Sequence, residues 1–288
     1  MKNLVLATAG VRSLHRQWMG DPATRSYDVW LNCYEPAALE AFRGDPVRLF
    51  DARGTMKWPG MARTLEAAGP EVERYDAVWF PDDDVAIDAA GIEALFSHVH
   101  ALGLALAQPA LSDASYFSAA LTLRCPGFTV RFTNFVEVMA PVFSRDALAR
   151  CRATFPRSQS GWGLDWVWPR ILGDPADRVG VVDAVEMTHT RPVAQGAWYK
   201  ALAVKPSDEA GALATEHGVP LPFEFRQYGG VPAEAGQDRG AYLPAGPGFL
   251  WRLLAGTPPS QRWKGPFLRR QWRSVRAGRR ARPKTERR

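Results

Sequence analysis

Short apolar runs alternate with amphipathic segments through the first half of the chain, and this alternation constrains the fold more than any other feature. Apolar residues recur at helical spacing from Ile92 to Leu102, and Asp88 is placed to cap that helix. Strands that alternate with helices are typical of an α/β fold with a mostly parallel sheet flanked by helices. The predicted strands of this half are Asn3–Thr8, Asp28–Tyr34, Val47–Phe50, Ala77–Phe80 and Leu104–Gln108.

The second half of the chain continues this pattern and then loses it. Thr133–Ser144 predicts another buried strand, broken at Pro141, and Val179–Met187 predicts a late one. Beyond about Lys205 the density of Pro and Gly rises and the periodicity fades. We therefore expect irregular structure that wraps around the domain in this part of the chain.

Charge is distributed unevenly along the chain. Residues 262–288 hold 12 Lys/Arg and 1 acidic residue, so the remainder, with 24 basic and 29 acidic residues, has a formal charge of −5. Trp and Leu residues lie between the arginines up to Arg276, and the residues after it have the composition of a disordered tail. We expect one main domain over residues 1–230 and a Pro/Gly-rich, basic C-terminal extension over residues 231–288.

Three interpretations of the basic extension remain open at this stage. It can lie on an anionic membrane surface, which would place the protein beside a lipid-linked substrate. It can bind nucleic acid or an anionic glycan, but only non-specifically and with strong salt dependence. It can also be a solvated tail without a partner. The sequence predicts no recognition of a specific nucleic acid.

The cysteines and the hydropathy indicate the setting. Cys33, Cys125 and Cys151 form no C-x-x-C pair and leave one cysteine over, which suits a reducing compartment and offers no zinc site. The apolar run at the N-terminus is shorter than a signal peptide requires, and no run of about 18 apolar residues occurs. We expect a cytoplasmic protein, peripheral at the inner face of the membrane if the extension binds lipid.

Three adjacent carboxylates, Asp82, Asp83 and Asp84, follow the predicted strand Ala77–Phe80 after a single proline. Like charges this close repel one another, which raises their pKa values unless a positive group lies among them. The carboxyl ends of strands are where open α/β sheets bind ligands, and carboxylate oxygens suit Mg²⁺ or Mn²⁺. The cluster is therefore either a cation site formed by Asp82 and Asp84 or a solvated acidic turn.

A second group of candidate residues lies in the segment SQSGWGLDWVWPRIL, residues 158–172. Gly161 and Gly163 permit a tight loop that brings backbone close to a ligand, and Trp162 offers a flat apolar face on which a sugar can stack. Asp165 lies near a predicted helix start, where the helix dipole keeps a carboxylate ionised. An ionised carboxylate can act as a general base towards a hydroxyl group. The alternative is a packing loop in which Asp165 caps the helix.

Three further residues have two interpretations each. His189 follows the late strand and is either a structural histidine or a ligand for a metal such as Mn²⁺. Lys57 lies between the third strand and the acidic cluster and is either a surface charge or a partner for a diphosphate. Glu137, within an apolar segment, is either a buried hydrogen-bonding residue or a carboxylate that faces a substrate pocket.

Taken in order along the chain, these groups resemble a GT-A glycosyltransferase, whose fold is similar to a Rossmann sheet. WFPDDDV resembles the D-x-D motif that holds the metal and the nucleotide-sugar diphosphate in that fold, with Asp82 and Asp84 as the outer pair. GWGLD and MTH resemble the G-W-G-x-E-D loop and the metal-binding histidine of the β-1,4-galactosyltransferases, in the same order. A single Asp165 stands where that family has Glu-Asp.

Four blocks give a more extensive resemblance, to the domain-of-unknown-function family seven-hundred-and-seven. They are LAQPALS, FVEVMAPVFSRDAL, GWGLDWVW and VGVVDAVEMTHTRP, and the resemblance extends over about Lys57 to Val193. That family typically has Asp-Glu-Asp where this chain has three aspartates. The resemblance names no substrate, but it supports a GT-A-like fold over residues 1–230.

These resemblances imply a metal-dependent glycosyltransferase. The donor would be a nucleotide-diphosphate sugar, such as a UDP-sugar, and the acceptor a glycan or a lipid-linked molecule. Asp82, Asp84 and His189 would be ligands of Mn²⁺ or Mg²⁺. Asp165 would take the proton from the acceptor hydroxyl in a single displacement with inversion.

The remaining expected site residues fall into two sets. Trp162, Gly163 and Glu137 are expected to bind the acceptor. The expected nucleotide-sugar-binding residues lie at the carboxyl ends of the first three strands or near the acidic cluster: Thr8, Ala9, Gly10, Asn32, Asp51, Lys57 and Asp83.

Two other functions remain open. The single Asp165 suits a carbohydrate- or nucleotide-binding protein on the same fold that has lost catalysis. A metal-dependent sugar nucleotidyltransferase is the other alternative, although TAGVRSLHR is a poor match to the Gly-rich phosphate loop of that class. The sequence has no G-x-G-x-x-G, P-loop, G-x-S-x-G or H-E-x-x-H motif, which weighs against dinucleotide oxidoreductases, P-loop NTPases, α/β-hydrolases and zincins.

Overall fold

The computed structural model describes residues 1–193, 202, 204–257 and 265–281. Its strands are β1 (Asn3–Ala9), β2 (Tyr27–Cys33), β3 (Arg48–Asp51), β4 (Ala77–Trp79), β5 (Val85–Ala86), β6 (Leu106–Leu111), β7 (Phe128–Thr133), β8 (Val142–Ser144), β9 (Val179–His189), β10 (Gln227–Pro232) and β11 (Leu243–Pro244). Its α-helices are α1 (Pro36–Ala41), α2 (Lys57–Ala68), α3 (Ala89–Ala101), α4 (Arg145–Cys151), α5 (Leu164–Ile171), α6 (Pro206–Glu216), α7 (Pro247–Gly256) and α8 (Gly265–Ala281).

One large mixed sheet organises the fold, in the order β11-β10-β7-β9-β6-β8-β4-β1-β2-β3, and β5 pairs with β9 beside it. The strands from β4 to β3 pair in parallel, and so do β6 and β9. β8 lies antiparallel between β4 and β6, and β7, β10 and β11 add further antiparallel pairs. The predicted α/β class is confirmed, but the expectation of a mostly parallel sheet is wrong. Antiparallel neighbours need no crossover helix, so their short apolar runs do not alternate with helices.

The first half of the chain follows the predicted order of elements. β1, β2, β3, β4 and β6 each begin and end within three residues of a predicted strand. α3 begins after Asp88, whose carboxylate accepts a hydrogen bond from the amide of Gly91 at 2.7 Å, so the predicted cap is confirmed. Because β2, β1 and β4 run in parallel, their carboxyl ends meet at one edge of the sheet.

The predicted strand Thr133–Ser144 is mostly a loop. β7 ends at Thr133, and β8 begins only at Val142, directly after Pro141. The intervening residues are nevertheless buried, with Phe135 and Val136 in the core. The break at Pro141 lies where it was predicted, directly before β8, but the predicted strand before that break is a loop. A short buried apolar run does not distinguish a strand from a packed loop.

The region beyond Lys205 is more regular than expected. α6 and α7 both begin with a proline in the first turn, where the missing amide hydrogen costs nothing. β10 crosses the expected boundary between residues 230 and 231 and pairs with β7 of the main sheet. The prediction of irregular structure is therefore wrong for these elements, since several of the prolines mark helix starts rather than loops.

α8 packs against the main sheet. Its Gln271 and Ser274 both accept hydrogen bonds from the Gln227 side chain of β10, at 2.7 and 2.8 Å. A Cβ atom at Gly278 would lie 2.0 Å from the Gln227 carbonyl oxygen, so glycine permits this close approach. The prediction of disorder after Arg276 is wrong for residues 277–281, while residues 258–264 and 282–288 lie outside the described residues.

An aromatic cluster beneath one face of the sheet joins α2 to α5. Trp58 of α2 packs edge-on against Trp168 of α5 and against Phe155, with ring centroids 4.9 and 4.6 Å apart. Phe143 of β8 contacts the same Trp168 ring at 4.9 Å. The cluster packs together the two helices that carry Lys57 and Asp165. Within the described ranges, no helix combines the length and the apolar character needed to cross a bilayer.

A buried ion pair joins β7 to β9. Arg131 donates from Nε and Nη2 to the two carboxylate oxygens of Asp183, at 2.7 and 2.9 Å, and both side chains are excluded from solvent. The guanidinium also donates to the carbonyl oxygens of Leu121 and Leu123, and Asp183 accepts from the amide of Cys125. The pair therefore fastens the segment 121–125 to the sheet.

Arg131→Met is expected to lower the free energy of unfolding by about 3–5 kcal/mol, because Asp183 would remain buried without its countercharge. Urea unfolding followed by tryptophan fluorescence measures the change. The double variant Arg131→Met/Asp183→Leu removes both charges and is expected to recover a large part of the lost free energy. An equal loss in the single and double variants would show that charge isolation is not the cause.

Candidate functional site

A cavity of about 530 Å³ lies at the carboxyl ends of the parallel strands. Its volume is within the range of small-molecule sites. It collects most of the residues that the sequence singles out: Thr8, Lys57, Asp82, Asp83, Asp84, Glu137, Trp162, Gly163, Asp165 and His189.

Asp82, Asp84 and His189 converge at this cavity, although more than 100 positions separate His189 from the aspartates. Each offers one ligand atom, and the three atoms all lie within 4.8 Å of one another. The pairing of β5 with β9 brings them together, because it places Val85 opposite His189. Two carboxylates and one imidazole fit Mn²⁺ or Mg²⁺, and the open side of the cluster faces the cavity.

The surroundings of His189 orient the imidazole. Its Nδ1 lies 2.9 Å from the carbonyl oxygen of Tyr116 and donates to it, so Nε2 faces Asp84 at 3.3 Å. In metal sites, the ring nitrogen of a histidine that does not bind the metal usually donates to a carboxylate, a backbone carbonyl or a water molecule. Burial works against protonation, but the contact with Asp84 raises the pKa of His189 to about 9. The surroundings of His189 therefore favour the positively charged form of its imidazole.

Lys57 supplies positive charge to the acidic cluster. Its ammonium group donates to Oδ1 of Asp82 at 2.6 Å and to the carbonyl oxygens of Phe80, Val138 and Met139 at 2.8 to 3.1 Å. Burial lowers the pKa of Lys57, while Asp82 opposes that effect. Lys57 is therefore not a surface charge. Its contact with Oδ1 leaves the second oxygen of Asp82 for another cation.

Asp83, the middle carboxylate, holds the rim of the cavity together. Its Oδ2 accepts hydrogen bonds from the Gly10 amide at 2.8 Å and the Tyr34 hydroxyl at 3.2 Å. Its Oδ1 accepts from Nη1 of Arg191 at 3.0 Å. Tyr34 and Arg191 also line the cavity. Tyr34 lies in the segment Asn32–Tyr34, at one of the strand ends that the sequence places around the nucleotide, whereas Arg191 was not predicted from the sequence. Its place along the chain could have identified Arg191 as a site residue, since it follows His189 by two residues.

Four residues expected near the nucleotide do not line the cavity, although one of them, Gly10, donates its amide to Asp83 at the rim. Ala9 belongs to the buried core. Asn32 is fully buried and accepts a hydrogen bond from the Thr64 hydroxyl at 2.7 Å. Asp51 is exposed and forms an ion pair with Arg53 at 2.5 Å. Successive side chains of a strand point to opposite faces, so a position at a strand end does not determine where the side chain lies.

The loop around Trp162 depends on its two glycines. Gly161 and Gly163 have φ of 84° and 88°, in the left-handed region. A Cβ atom at Gly163 would lie 2.7 Å from the Cα of Ala210 in α6, and one at Gly161 would lie 2.9 Å from Nε1 of Trp58. The glycines thus allow the loop to pack between α2 and α6. This packing leaves Trp162 partly exposed at the cavity.

Glu209 of α6 fixes the same loop from behind. Its carboxylate accepts hydrogen bonds from the Ser158 hydroxyl at 2.9 Å and from the amides of Gln159 and Ser160 at 2.6 and 2.9 Å. The Ser160 hydroxyl donates to it as well. No sequence pattern predicted this role, because Glu209 is 49 residues from Ser160 and lies in an ordinary amphipathic helix.

Asp165 lies in the first turn of α5 and is almost fully buried. Its Oδ1 has no hydrogen-bond partner among the described residues. Burial, with a further contribution from the charge of Glu137, raises the pKa of Asp165 to about 8. The expectation that the helix dipole keeps this carboxylate ionised is therefore wrong near neutral pH. A carboxylate with this pKa and one unpaired oxygen can accept a proton.

Glu137 satisfies both interpretations of its role. Its carboxylate accepts hydrogen bonds from the Thr122 hydroxyl at 2.6 Å and from the amides of Ser118 and Ala119, both at 3.3 Å. Burial raises its pKa, while these three hydrogen bonds oppose the change. Glu137 also lines the cavity beside Asp165. Since the oxygens of Glu137 are engaged, Asp165 is the better placed of the two to accept a proton.

One sequence family matches part of the chain. Residues 125–212 match the model of the family described as Protein of unknown function (DUF707). The match includes the GWGLD and MTH segments, so the resemblance to this family is confirmed. No curated protein matches the chain.

Two solved structures share the fold. One is the crystal structure of S. aureus TarS 1-349 in complex with UDP-GlcNAc, with 13% identity and a TM-score of 0.54 over 76% of this chain and 66% of that chain. The other is the crystal structure of GalNAc-T7 with UDP, GalNAc and Mn²⁺, with 9% identity and a TM-score of 0.55 over 75% of this chain and 48% of that chain. The matches thus span just under two thirds and about half of those chains. They confirm the GT-A glycosyltransferase fold.

Proposed function

We propose that this protein is a metal-dependent glycosyltransferase that moves a sugar from a UDP-sugar to an acceptor hydroxyl group. One observation carries the proposal. The three candidate metal ligands, Asp82, Asp84 and His189, line the same cavity as Asp165, the candidate base. The solved structures with UDP-GlcNAc and with UDP, GalNAc and Mn²⁺ support a nucleotide-sugar donor.

The donor would bind at the acidic end of the cavity. Asp82, Asp84 and His189 would hold Mn²⁺ or Mg²⁺, which when bound neutralises the departing diphosphate as a Lewis acid. Lys57 and Arg191 bring two positive side chains to the same end. The N–H groups of Lys57 are already engaged, so Lys57 would contribute its charge, while the Arg191 guanidinium has further N–H groups that can donate to diphosphate oxygens.

The acceptor would bind at the end formed by Asp165 and Trp162. Oδ1 of Asp165, which has no partner among the described residues, would take the proton from the acceptor hydroxyl. The oxygen of that hydroxyl would bond to the anomeric carbon as the bond from that carbon to the UDP oxygen breaks. A single displacement of this kind inverts the anomeric configuration. Trp162 would stack on the acceptor ring, and Glu137 would keep the pKa of Asp165 raised.

Turnover with a panel of UDP-sugars tests the function. In Mn²⁺, the protein is expected to release UDP from one of them in the presence of an acceptor, and EDTA should abolish the release. Proton NMR of the product reports whether the anomeric configuration is inverted. Nucleotide binding without any turnover would favour a non-catalytic binding protein instead. Pyrophosphate as the product would favour a sugar nucleotidyltransferase.

We also propose that α8 places this enzyme on an anionic membrane on the cytoplasmic side, beside a lipid-linked acceptor. Residues 265–281 contain no acidic side chain. Trp272 is 48% exposed on this helix, with the Arg276 guanidinium 5.2 Å from its ring centroid, and Trp251 of α7 is 75% exposed. Arginines and a tryptophan exposed on one helix suit the headgroup region of anionic lipids. The exposed arginines of the helix are Arg269, Arg270, Arg273, Arg276, Arg279 and Arg280.

Sedimentation with vesicles tests the membrane proposal. The protein is expected to bind phosphatidylglycerol vesicles and not phosphatidylcholine vesicles. The triple variant Arg269→Gln/Arg270→Gln/Arg273→Gln should lose about 3 kcal/mol of binding free energy, since each arginine near the surface contributes about 1 kcal/mol. Arg152→Gln, at an exposed position outside α8, is the matched control. Unchanged binding of the triple variant would exclude α8 as the contact surface.

A further inference from the structure

A second cleft, of about 400 Å³, shares a wall with the cavity. Trp166 lines both, and it follows Asp165 directly in α5. The rest of the second cleft comes from Arg170 of α5, from Asp174 just after that helix, from the segment 219–226 and from Asn134. A ligand that reaches from one space to the other must therefore pass Trp166, next to the candidate base.

Aromatic rings continue from the cavity into the second cleft. The Trp166 ring stacks on Phe223 with centroids 5.2 Å apart and an interplanar angle of 8°. Phe225 packs edge-on against Phe223 at 5.2 Å and against Phe135 at 5.0 Å. Phe135 and Phe225 line the cavity, whereas Phe223 lines the cleft. The two spaces thus have one continuous aromatic wall.

The polar lining of the second cleft is balanced in charge. Arg170 pairs with Asp174 at 2.9 Å, and Arg226 pairs with Glu224 at 3.5 Å. Asn134 links to both residues of the second pair, since its Oδ1 accepts from the Arg226 amide and its Nδ2 donates to the Glu224 carbonyl oxygen. The cleft therefore offers planar groups that donate and planar groups that accept, without a net formal charge.

Arg226 has an unused donor. Its Nε is buried and has no hydrogen-bond partner among the described residues. A buried guanidinium hydrogen without an acceptor is unfavourable, so buried donors of this kind are normally paired. The arrangement suits a ligand that brings oxygen acceptors to the cleft.

We infer that the second cleft is an acceptor subsite for a neutral oligosaccharide, so that the acceptor is a glycan chain rather than a single sugar. Four charged groups disfavour an apolar ligand, and their balance gives an anionic ligand no net attraction. Sugar hydroxyls both donate and accept, as the Arg170–Asp174 pair requires, and sugar rings pack on aromatic walls. The inference rests on the proposed function, since it takes the terminal sugar to lie at Asp165.

A glycan array carrying neutral and acidic glycans, from single sugars to long chains, tests the inference without turnover. The wild-type protein is expected to bind neutral chains of two or more units and to bind the single sugars more weakly. Arg170→Ala/Arg226→Met should weaken this binding at least about tenfold, because the variant loses the charged groups that donate hydrogen bonds to the sugar hydroxyls. Arg152→Ala is the matched surface control. UDP binding in Mn²⁺, measured by calorimetry, should not change in either variant.

Four results would show that the second cleft is not an acceptor subsite. The inference is wrong if the double variant binds glycans as the wild type does, if only acidic glycans bind, or if single sugars bind as tightly as chains. It is also wrong if the wild type binds UDP but no glycan, a result that leaves the donor site intact. Absence of both UDP binding and turnover would instead defeat the proposed function, and glycan binding would then report on the cleft alone. Thermal unfolding of each variant identifies loss by misfolding.

Discussion

Asp84→Asn is expected to weaken Mn²⁺-dependent binding of UDP by at least about 100-fold. Removing a group that only supports a metal ligand weakens metal affinity by about 10–100-fold, and Asp84 would be a ligand itself. The asparagine side chain keeps the shape of the aspartate but not its charge. The contacts of the Asp84 carbonyl with Thr190 involve the main chain and should persist. The fold should therefore be retained while the cation site is lost.

Titration calorimetry of UDP into protein with Mn²⁺, and into protein with EDTA, measures this effect. The matched control is Asp146→Asn, which removes an exposed carboxylate in the first turn of α4, outside the residues that line the cavity. The control should bind UDP as the wild type does, and Asp84→Asn should resemble the wild type in EDTA. If Asp84→Asn binds UDP normally in Mn²⁺, this carboxylate is not a metal ligand.

Asp165→Asn is expected to lower kcat by about 10²–10⁴-fold, the contribution typical of a general base. The KM for the UDP-sugar should change little, since the donor is proposed to bind at the acidic end of the cavity. Amide nitrogen and oxygen replace the two carboxylate oxygens at nearly constant volume, but the amide cannot accept the proton. Initial rates of UDP release at saturating donor measure the loss. If the variant keeps the wild-type kcat, a group other than Asp165 is the base.

The pH dependence gives a second readout of the same residue. Because burial and Glu137 raise the pKa of Asp165 to about 8, the rate should rise with pH through that value and fall below it. Glu137→Gln removes the neighbouring charge and should move this rise to lower pH. Asp165→Asn should abolish the rise altogether. If the rate depends on pH in the same way in both variants as in the wild type, ionisation of Asp165 does not cause that dependence.

The stability of the wild type should change with pH in the direction opposite to its rate, and Asp165→Asn should lack this change. The folded protein holds the Asp165 proton up to about pH 8, whereas the group in the unfolded chain loses it near 3.8. The wild type therefore loses stability as pH rises between these values, because its folded state binds the extra proton. Asp165→Asn has no such group and should gain stability relative to the wild type over this range. Thermal unfolding at several pH values tests this trend and excludes misfolding as the cause of lost activity.

The part of the site that the sequence predicted consists of side chains next to recognisable strand ends. Asp82 and Asp84 lie between β4 and β5, and His189 ends β9. The pairing of β5 with β9 brings the three side chains to one edge of the sheet. The GWGLD segment also reached the cavity as expected, because Gly161 and Gly163 have the positive φ that only glycine adopts easily.

The remaining features depend on contacts between distant segments. Glu209 supports the loop around Trp162 through α6, and the sequence pattern of that helix is ordinary. The second cleft exists because Trp166 meets Phe223, 57 positions away, across a segment without periodicity. The pKa of Asp165 depends on its burial and on Glu137, and neither can be read from a helix start.

A crystal structure with UDP and Mn²⁺, with anomalous scattering recorded at the manganese edge, would locate the metal and the donor together. We expect one manganese peak bounded by Asp82, Asp84 and His189, with the diphosphate of UDP on its open side and the sugar-binding space extending towards Asp165. A manganese peak elsewhere, or UDP bound outside this cavity, would contradict the proposed function.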